Sequence, residues 1–222
     1  MRLAAAAECP MSYTFAIGDI HGCLEPLRKL LARIEARWAS GTTVFVGDYI
    51  DRGPDSRGVI ALLKAGPARP DWQWVMLKGN HEDMMVGAYA GRYDRDWWLD
   101  NGGLETELSY GGRVPMEDLV WADRLPLMHL DAHRLFVHAG VNPDVALDQQ
   151  SPQDLLWLRP ESSAYYWGKH LCHGHTPSRA NPRTIGNRTN IDSGCVFGGK
   201  LTCAVFDDDV EGGPVEFIKA GW

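Results

Sequence analysis

No run of 18 apolar residues occurs in this 222-residue sequence, so no segment is expected to cross a membrane as a helix. The five cysteines, Cys9, Cys23, Cys172, Cys195 and Cys203, are an odd number and include no Cys-x-x-Cys spacing. That pattern argues against a disulfide framework and for a reducing compartment. Arg2 and the alanines at 4–7 begin like a leader, but Glu8 interrupts them before an apolar core can form. The expected location is therefore cytoplasmic. Basic runs are missing too, and the formal net charge is −7, which argues against general nucleic-acid binding. An anionic substrate must then be drawn in locally, by bound metal or a few placed arginines. There is no Gly-x-Ser-x-Gly elbow for a serine hydrolase, no fixed-period repeat, and no low-complexity linker. One domain over 1–222 is expected, with a mostly helical stretch at about 83–131 inside it.

What the sequence does contain is a repeated rhythm over its first eighty residues. A short apolar run at Tyr13–Ile17 reads as a strand and ends in Gly18-Asp19-Ile20-His21-Gly22. Leu24, Leu27, Leu30, Leu31 and Ile34 then follow at helical spacing. A second strand at 42–46 ends in Gly47-Asp48-Tyr49-Ile50-Asp51-Arg52-Gly53, and a helix with Val59, Ile60, Leu62 and Leu63 follows. A third strand at 72–77 leads to Gly79-Asn80-His81-Glu82 and a further helical segment. Alternation of this kind predicts an α/β fold with a parallel core. Later strands are expected at 135–137, ending at His138, and at 171–173, 189–192, 201–206 and 215–218.

In a parallel sheet, loops leaving the carboxyl ends of neighbouring strands gather at one edge, where ligands bind. The three polar loops all occupy such ends. Asp19 and His21 are two residues apart and point the same way on extended backbone. Asp48 and Asn80 add oxygen donors, while His138 and either His173 or His175 add imidazoles. Carboxylate, amide oxygen and imidazole without thiolate suit Mn, Fe or Zn. About six such groups exceed the needs of one tetrahedral zinc and fit two ions sharing a bridging carboxylate.

These motifs, together with Leu156-Trp157-Leu158-Arg159, Gly174-His175-Thr176-Pro177 and Ile191-Asp192-Ser193-Gly194, resemble the phosphoprotein phosphatase family of calcineurin-like metallophosphoesterases. Within it the chain looks most like the compact bacterial and phage serine/threonine phosphatases of the bacteriophage lambda type. The resemblance runs from about residue 13 to 206. It implies two packed mixed β-sheets flanked by helices, with a dimetal site at the sheet edge. It implies that Asp19 and His21 hold one ion, that Asp48 bridges, and that Asn80, His138 and His175 hold the other. It makes His81 the general acid, Asp51 its orienting carboxylate, and Arg52 and Arg159 the phosphate clamp. The two divalent ions are expected to be Mn²⁺, with Fe or Zn as alternatives. The implied substrate is a phosphorylated protein or peptide, hydrolysed by direct attack of metal-bound hydroxide on phosphorus. Neither nucleic acid nor membrane is an implied partner. Three other readings compete: a dinucleoside polyphosphate hydrolase, a broad small-molecule phosphatase, and a catalytically silent metal-bound interaction module. Diadenosine tetraphosphate hydrolases usually carry Ala at position 51 and Asp at 82, where this chain has Asp51 and Glu82.

Several residues invite a chemical reading and are expected to be structural. Gly194 to Lys200 fits the Gly-x4-Gly-Lys part of a phosphate loop, but Leu201 replaces the magnesium-binding hydroxyl and a strand follows, so a β-turn is expected. Cys172 lacks an arginine at the spacing of a cysteine phosphatase. His129, His133 and His170 have no motif context, and Asp207–Asp209 reads as a solvated turn. His173 is expected beside the site and Glu82 at a helix start. The nine tryptophans, including the near-pair Trp72/Trp74 and the pair Trp97/Trp98, read as core and rim.

Overall fold

In a computed structural model, residues 12–159 and 166–222 are described; Cys9 and the leader-like start lie outside them. In chain order the strands are β1 (Tyr13–Ile17), β2 (Gly41–Phe45), β3 (Trp72–Met76), β4 (Met128–Leu130), β5 (Arg134–Val137), β6 (His170–His173), β7 (Arg183–Ile185), β8 (Arg188–Asn190), β9 (Leu201–Asp207) and β10 (Glu216–Ala220). The helices are α1 (Leu24–Glu35), α2 (Ser56–Ala65), α3 (Asn80–Tyr89), α4 (Arg95–Trp98), α5 (Leu104–Tyr110), α6 (Met116–Asp123) and α7 (Pro152–Trp157).

The strands form two five-stranded mixed sheets, ordered β10-β9-β1-β2-β3 and β4-β5-β6-β8-β7. β1, β2 and β3 are parallel, with β9 antiparallel to β1. β5, β6 and β8 are likewise parallel, flanked by antiparallel β4 and β7. Strand periodicity sorts the side chains. Phe15, Ile17 and Phe45 face α1 and α2, in one core with Leu27, Leu30, Ile34, Val59, Ile60 and Leu63. Their neighbours Ala16, Val44 and Val46 face the other way, packing with Ala204 and Phe206 against Phe136, Cys172 and Ile191 of the second sheet. Phe136 meets Phe206 edge to face at 5.7 Å, a pairing worth about 0.5–1.5 kcal/mol beyond area burial. The outer face of the second sheet is covered through Leu135, Val137 and Leu171, which pack with Val141, Leu155 and Tyr166.

Local signals explain the element ends. Asp55 caps α2 by accepting the Gly58 N–H at 2.7 Å, and Gly66 ends it at φ +73°. Ser151 caps α7, with Pro152 in its first turn. The third motif is not a free loop: α3 begins at Asn80, so Asn80, His81 and Glu82 form a helix's first turn. The stretch 83–131 holds the rest of α3, then α4, α5 and α6, and at its end β4, which pairs with β5. β4 and β7 escape the sequence reading: both are three-residue strands at the edges of the second sheet, half-exposed, unlike the equally short but buried β8. Gly194 to Lys200 contains a 3-10 turn at Cys195–Phe197 before β9, in place of the β-turn. Among the described residues no helix is long and apolar enough to cross a membrane.

Candidate functional site

The predicted residues converge at the carboxyl ends of the parallel strands of both sheets. Asp19 and His21 follow β1, Asp48 follows β2, and Asn80 and His81 follow β3. His138 follows β5 and His175 follows β6. All seven are buried. The ligand-type atoms of His21, Asp48 and His81 lie within 4.8 Å of one another, as do those of Asp48, His138 and His175. Asp48 is thus common to two clusters. Its Oδ2 lies 3.5 Å from His21 Nε2 and its Oδ1 3.4 Å from His138 Nε2. Asn80 Oδ1 lies 2.8 Å from His138 Nε2 and 3.1 Å from His175 Nδ1. Asp19 adjoins them, both carboxylate oxygens accepting the His175 N–H at 3.1–3.2 Å.

The backbone is bent to make this possible. His21, Asp48, Asp51, Arg52 and His175 all have φ between +45° and +71°. A non-glycine residue in that region costs about 1–3 kcal/mol, and such residues cluster where a site demands a particular direction. Glu82 holds part of the arrangement. Its carboxylate accepts the N–H groups of Asp48 (2.9 Å), Tyr49 (2.8 Å) and Gly79 (2.9 Å), tying the β2 loop to the start of α3. It does more than serve a helix start, and burial beside Asp48 lifts its pKa to about 7.

Outer hydrogen bonds set the imidazoles. Nδ1 of His21 lies 2.7 Å from the Ile50 carbonyl, and Nδ1 of His138 lies 2.9 Å from the Val46 carbonyl. A carbonyl can only accept, so both rings carry the proton on Nδ1 and present Nε2 inward. The backbone of Val46 thus supplies the outer contact of His138. Burial holds His21 at about 3 and pushes His138 down as well, so both are neutral. The lone pair of His138 Nε2 therefore points at the oxygens of Asn80 and Asp48. Acceptors facing acceptors repel unless a cation lies between them, so the donors present fit divalent metal. Burial raises the Asp48 carboxyl, yet the imidazoles packed around it, with the His81 N–H it accepts, favour its charged form whenever they carry a proton and hold it below the ordinary range. Burial, then Asp192, then Asp48 raise Asp19. Asp192 itself is lifted to about 6, chiefly by burial.

His81 differs from the other imidazoles. Its Nδ1 lies 2.6 Å from Asp51 Oδ2 and its Nε2 lies 3.9 Å from Asp48 Oδ2. Burial lowers its pKa, but Asp48 and Asp51 outweigh that and raise it. Asp51 is wholly buried and also receives the indole N–H of Trp98 (3.0 Å) and the hydroxyl of Thr106 (2.6 Å). Sequence reading missed Trp98 and Thr106; nothing in their local pattern links them to position 51. Arg52 Nη1 lies 2.8 Å from His21 Nε2, with the guanidinium 5.6 Å from the Phe197 ring. Arg159 is exposed just beyond α7, and its charge adds to burial and His138 in depressing His175 to about 3. Trp157 bridges this edge, edge-on to His175 at 6.0 Å and stacked on Trp97 at 6.1 Å.

The residues expected to be bland lie elsewhere. Cys172 is sealed between the sheets, and burial pushes its thiol far up, which removes it as a nucleophile. His173 is buried, with Nδ1 3.0 Å from the Gly174 carbonyl. His170 meets Thr189 at 2.8 Å, and Asp208 pairs with Arg134.

A family model described as calcineurin-like phosphoesterase matches residues 14–209. The chain is 34% identical over 203 residues to serine/threonine-protein phosphatase 1 of Salmonella typhimurium, covering 86% of this chain and 91% of that protein. It is also 30% identical over 227 residues to bis(5'-nucleosyl)-tetraphosphatase PrpE [asymmetrical] of Bacillus cereus, covering 84% and 87%. The fold is similar to that of a Saccharomyces cerevisiae protein serine/threonine phosphatase with similarity to human phosphatase PP5. That likeness has a TM-score of 0.70 at 17% identity and covers 96% of this chain and 81% of the yeast structure.

Proposed function

The chain belongs to the calcineurin-like phosphoesterases, and from that premise we propose that it is a two-metal phosphomonoester hydrolase acting on phosphoserine and phosphothreonine in proteins. Asp19, His21 and Asp48 hold one ion, and Asp48, Asn80, His138 and His175 the other. When bound, the pair neutralises phosphate charge and acidifies water at neutral pH. Manganese is the ion proposed, since hard and borderline donors are offered without thiolate. Arg52 and Arg159 clamp the phosphate, their planar forks matching two of its oxygens. They also supply the local positive charge that an acidic chain otherwise lacks.

The observation that carries the substrate reading is the Asp51–His81 contact of 2.6 Å. A serine or threonine alkoxide is a strongly basic leaving group and requires a proton as the P–O bond breaks. His81, raised by two carboxylates, is suited to hold that proton on Nε2 and release it there. Cleavage of a dinucleoside polyphosphate expels a phosphate group, which is far less basic and has little need of the dyad. The second reading, dinucleoside polyphosphate hydrolysis, is kept because of the similarity to the Bacillus tetraphosphatase.

Phosphate release by metal-stripped protein, with and without Mn²⁺, separates the two. Phosphoserine and phosphothreonine peptides and diadenosine tetraphosphate are compared at matched concentrations. Faster, Mn²⁺-dependent release from the peptides supports the proposal. Preference for the dinucleotide retains the metal site and overturns the substrate. No turnover of either substrate with metal bound favours a silent interaction module.

A further inference from the structure

We infer that Trp98 and Thr106, both from the helical stretch between α3 and β4, are positioning residues that orient Asp51 and, through it, His81. The inference rests on the proposed role of His81 as the acid.

The proton directions around Asp51 are determined by chemistry. Its ionised carboxylate accepts only. Oδ2 receives His81 Nδ1 at 2.6 Å and Trp98 Nε1 at 3.0 Å. An indole nitrogen donates only, so the second bond has one possible sense. Thr106 Oγ1 lies 2.6 Å from Asp51 Oδ1 and must give that oxygen its single hydrogen. The same hydroxyl accepts the Asp51 N–H at 2.9 Å, and Ser56 Oγ, 3.0 Å away, completes it. With both oxygens held, the carboxylate cannot rotate. His81 Nδ1–H then has one fixed acceptor, and Nε2 is directed toward Asp48.

The same stretch pins the backbone. Asp51 and Arg52 are consecutive residues at φ +71° and +68°, a conformation that persists only when its surroundings over-determine it. Thr106 holds the Asp51 N–H, and the Gly102 carbonyl accepts the Arg52 N–H at 3.0 Å. Trp98 is wholly buried with its N–H on the carboxylate, so it is neither free core nor rim. In the reaction, water oxygen bonds to phosphorus as the P–O bond to the leaving oxygen breaks. That oxygen keeps the electron pair and takes the Nε2 proton; His81 stays hydrogen-bonded to Asp51 and regains a proton from the attacking water through solvent.

The test compares Mn²⁺-loaded protein on a phosphoserine peptide and on p-nitrophenyl phosphate, whose leaving group is weakly basic. Thr106→Val keeps shape while removing one donor, and Trp98→Phe keeps an aromatic ring while removing the indole N–H at the cost of a smaller buried side chain. Each is expected to lower kcat for the peptide about 10-fold more than for the aryl ester, a fraction of the full general-acid effect. Thr106→Ser is expected to restore the ratio. Adding Thr106→Val to His81→Asn is expected to leave the ratio unchanged, because the acid it positions is already gone. Equal losses on both substrates, or additive effects in the double variant, overturn the inference. Trp98→Phe decides independently if Thr106→Val does not fold. If His81→Asn itself leaves the ratio unshifted, the acid reading falls and takes this inference with it. If His81→Asn shifts the ratio and neither Thr106→Val nor Trp98→Phe does, only the positioning falls.

Discussion

The two ends of the sheets solve the same problem, turning the chain, with different residues. At the amino end, turns rely largely on glycine: Gly66 after α2, Gly168 before β6, Gly186 between β7 and β8, and Gly212 between β9 and β10 all have positive φ. Trp167 is the exception there. At the carboxyl end Gly22, Gly47 and Gly194 also turn at positive φ, but five of the six non-glycine residues with positive φ among the described residues lie there too: His21, Asp48, Asp51, Arg52 and His175. Glycine turns a chain at little steric cost but brings no functional group. Where the turning residue must itself present an imidazole, carboxylate or guanidinium, the fold accepts strain and restrains it with hydrogen bonds. Glu82 and Thr106 are such restraints. The difference teaches that strain here marks the working end.

That contrast can be broken by experiment. The largest effect is expected at Asp48, shared by both clusters. Asp48→Asn should reduce turnover by at least about 10³-fold, beyond the 10–100-fold typical of changes outside the ligand set, and lower metal content in parallel. Elemental analysis beside phosphate-release assays checks both; retained metal with retained activity would remove Asp48 from the centre. His81→Asn should lower turnover of the phosphoserine peptide by about 10²–10⁴-fold while metal stays bound.

The next two comparisons concern stability. At Gly102, φ +106°, an added Cβ would sit 2.5 Å from Arg52 Cγ and 2.8 Å from its backbone nitrogen. Gly102→Ala should therefore cost about 3 kcal/mol and disturb the clamp. At Gly111, the left-handed cap of α5 at φ +71°, nothing lies within 4 Å, and Gly111→Ala should cost only the left-handed penalty of about 1 kcal/mol. Urea unfolding of the two variants measures the difference, and equal losses would mean that the close approach at the working end carries no weight.

A smaller effect is expected from His170, buried at the amino end. Burial, helped by Arg134, lowers its pKa from 6.5 to about 4. The unfolded chain then binds this proton first as pH falls. Stability from the neutral ring is complete above pH 6.5 and is lost between 6.5 and about 4. The loss is on the order of 2 kcal/mol after allowance for partial solvent access. In metal-stripped protein, His170→Gln should flatten the fall in stability across that window. An unchanged slope would show that His170 does not titrate as described.

Much of this was legible in the sequence. The strands of the first sheet were visible because half of each faces helices and half faces the second sheet, leaving almost continuous apolar runs such as 13–17 and 42–46. The candidate ligands were visible because each directly follows such a run, and chain order alone sends those ends to one edge. β4 and β7 were not visible, since a short, half-exposed strand at a sheet edge leaves no buried run in the chain and is defined by its partner. Nor was the helical start at Asn80, where a motif that reads as a loop is held as a first turn by Glu82.

The sequence by itself thus determined the residue types, their places after strands and the class of chemistry, because these follow from local periodicity and donor chemistry. Only tertiary structure decided the distances: Asp48 between two clusters, Val46 behind His138, and Trp98 and Thr106 around Asp51. The Val46, Trp98 and Thr106 contacts join residues 47 to 92 positions apart. Hydrogen bonds between such distant groups depend on how two sheets and a helical stretch pack, and no local pattern in the chain records that.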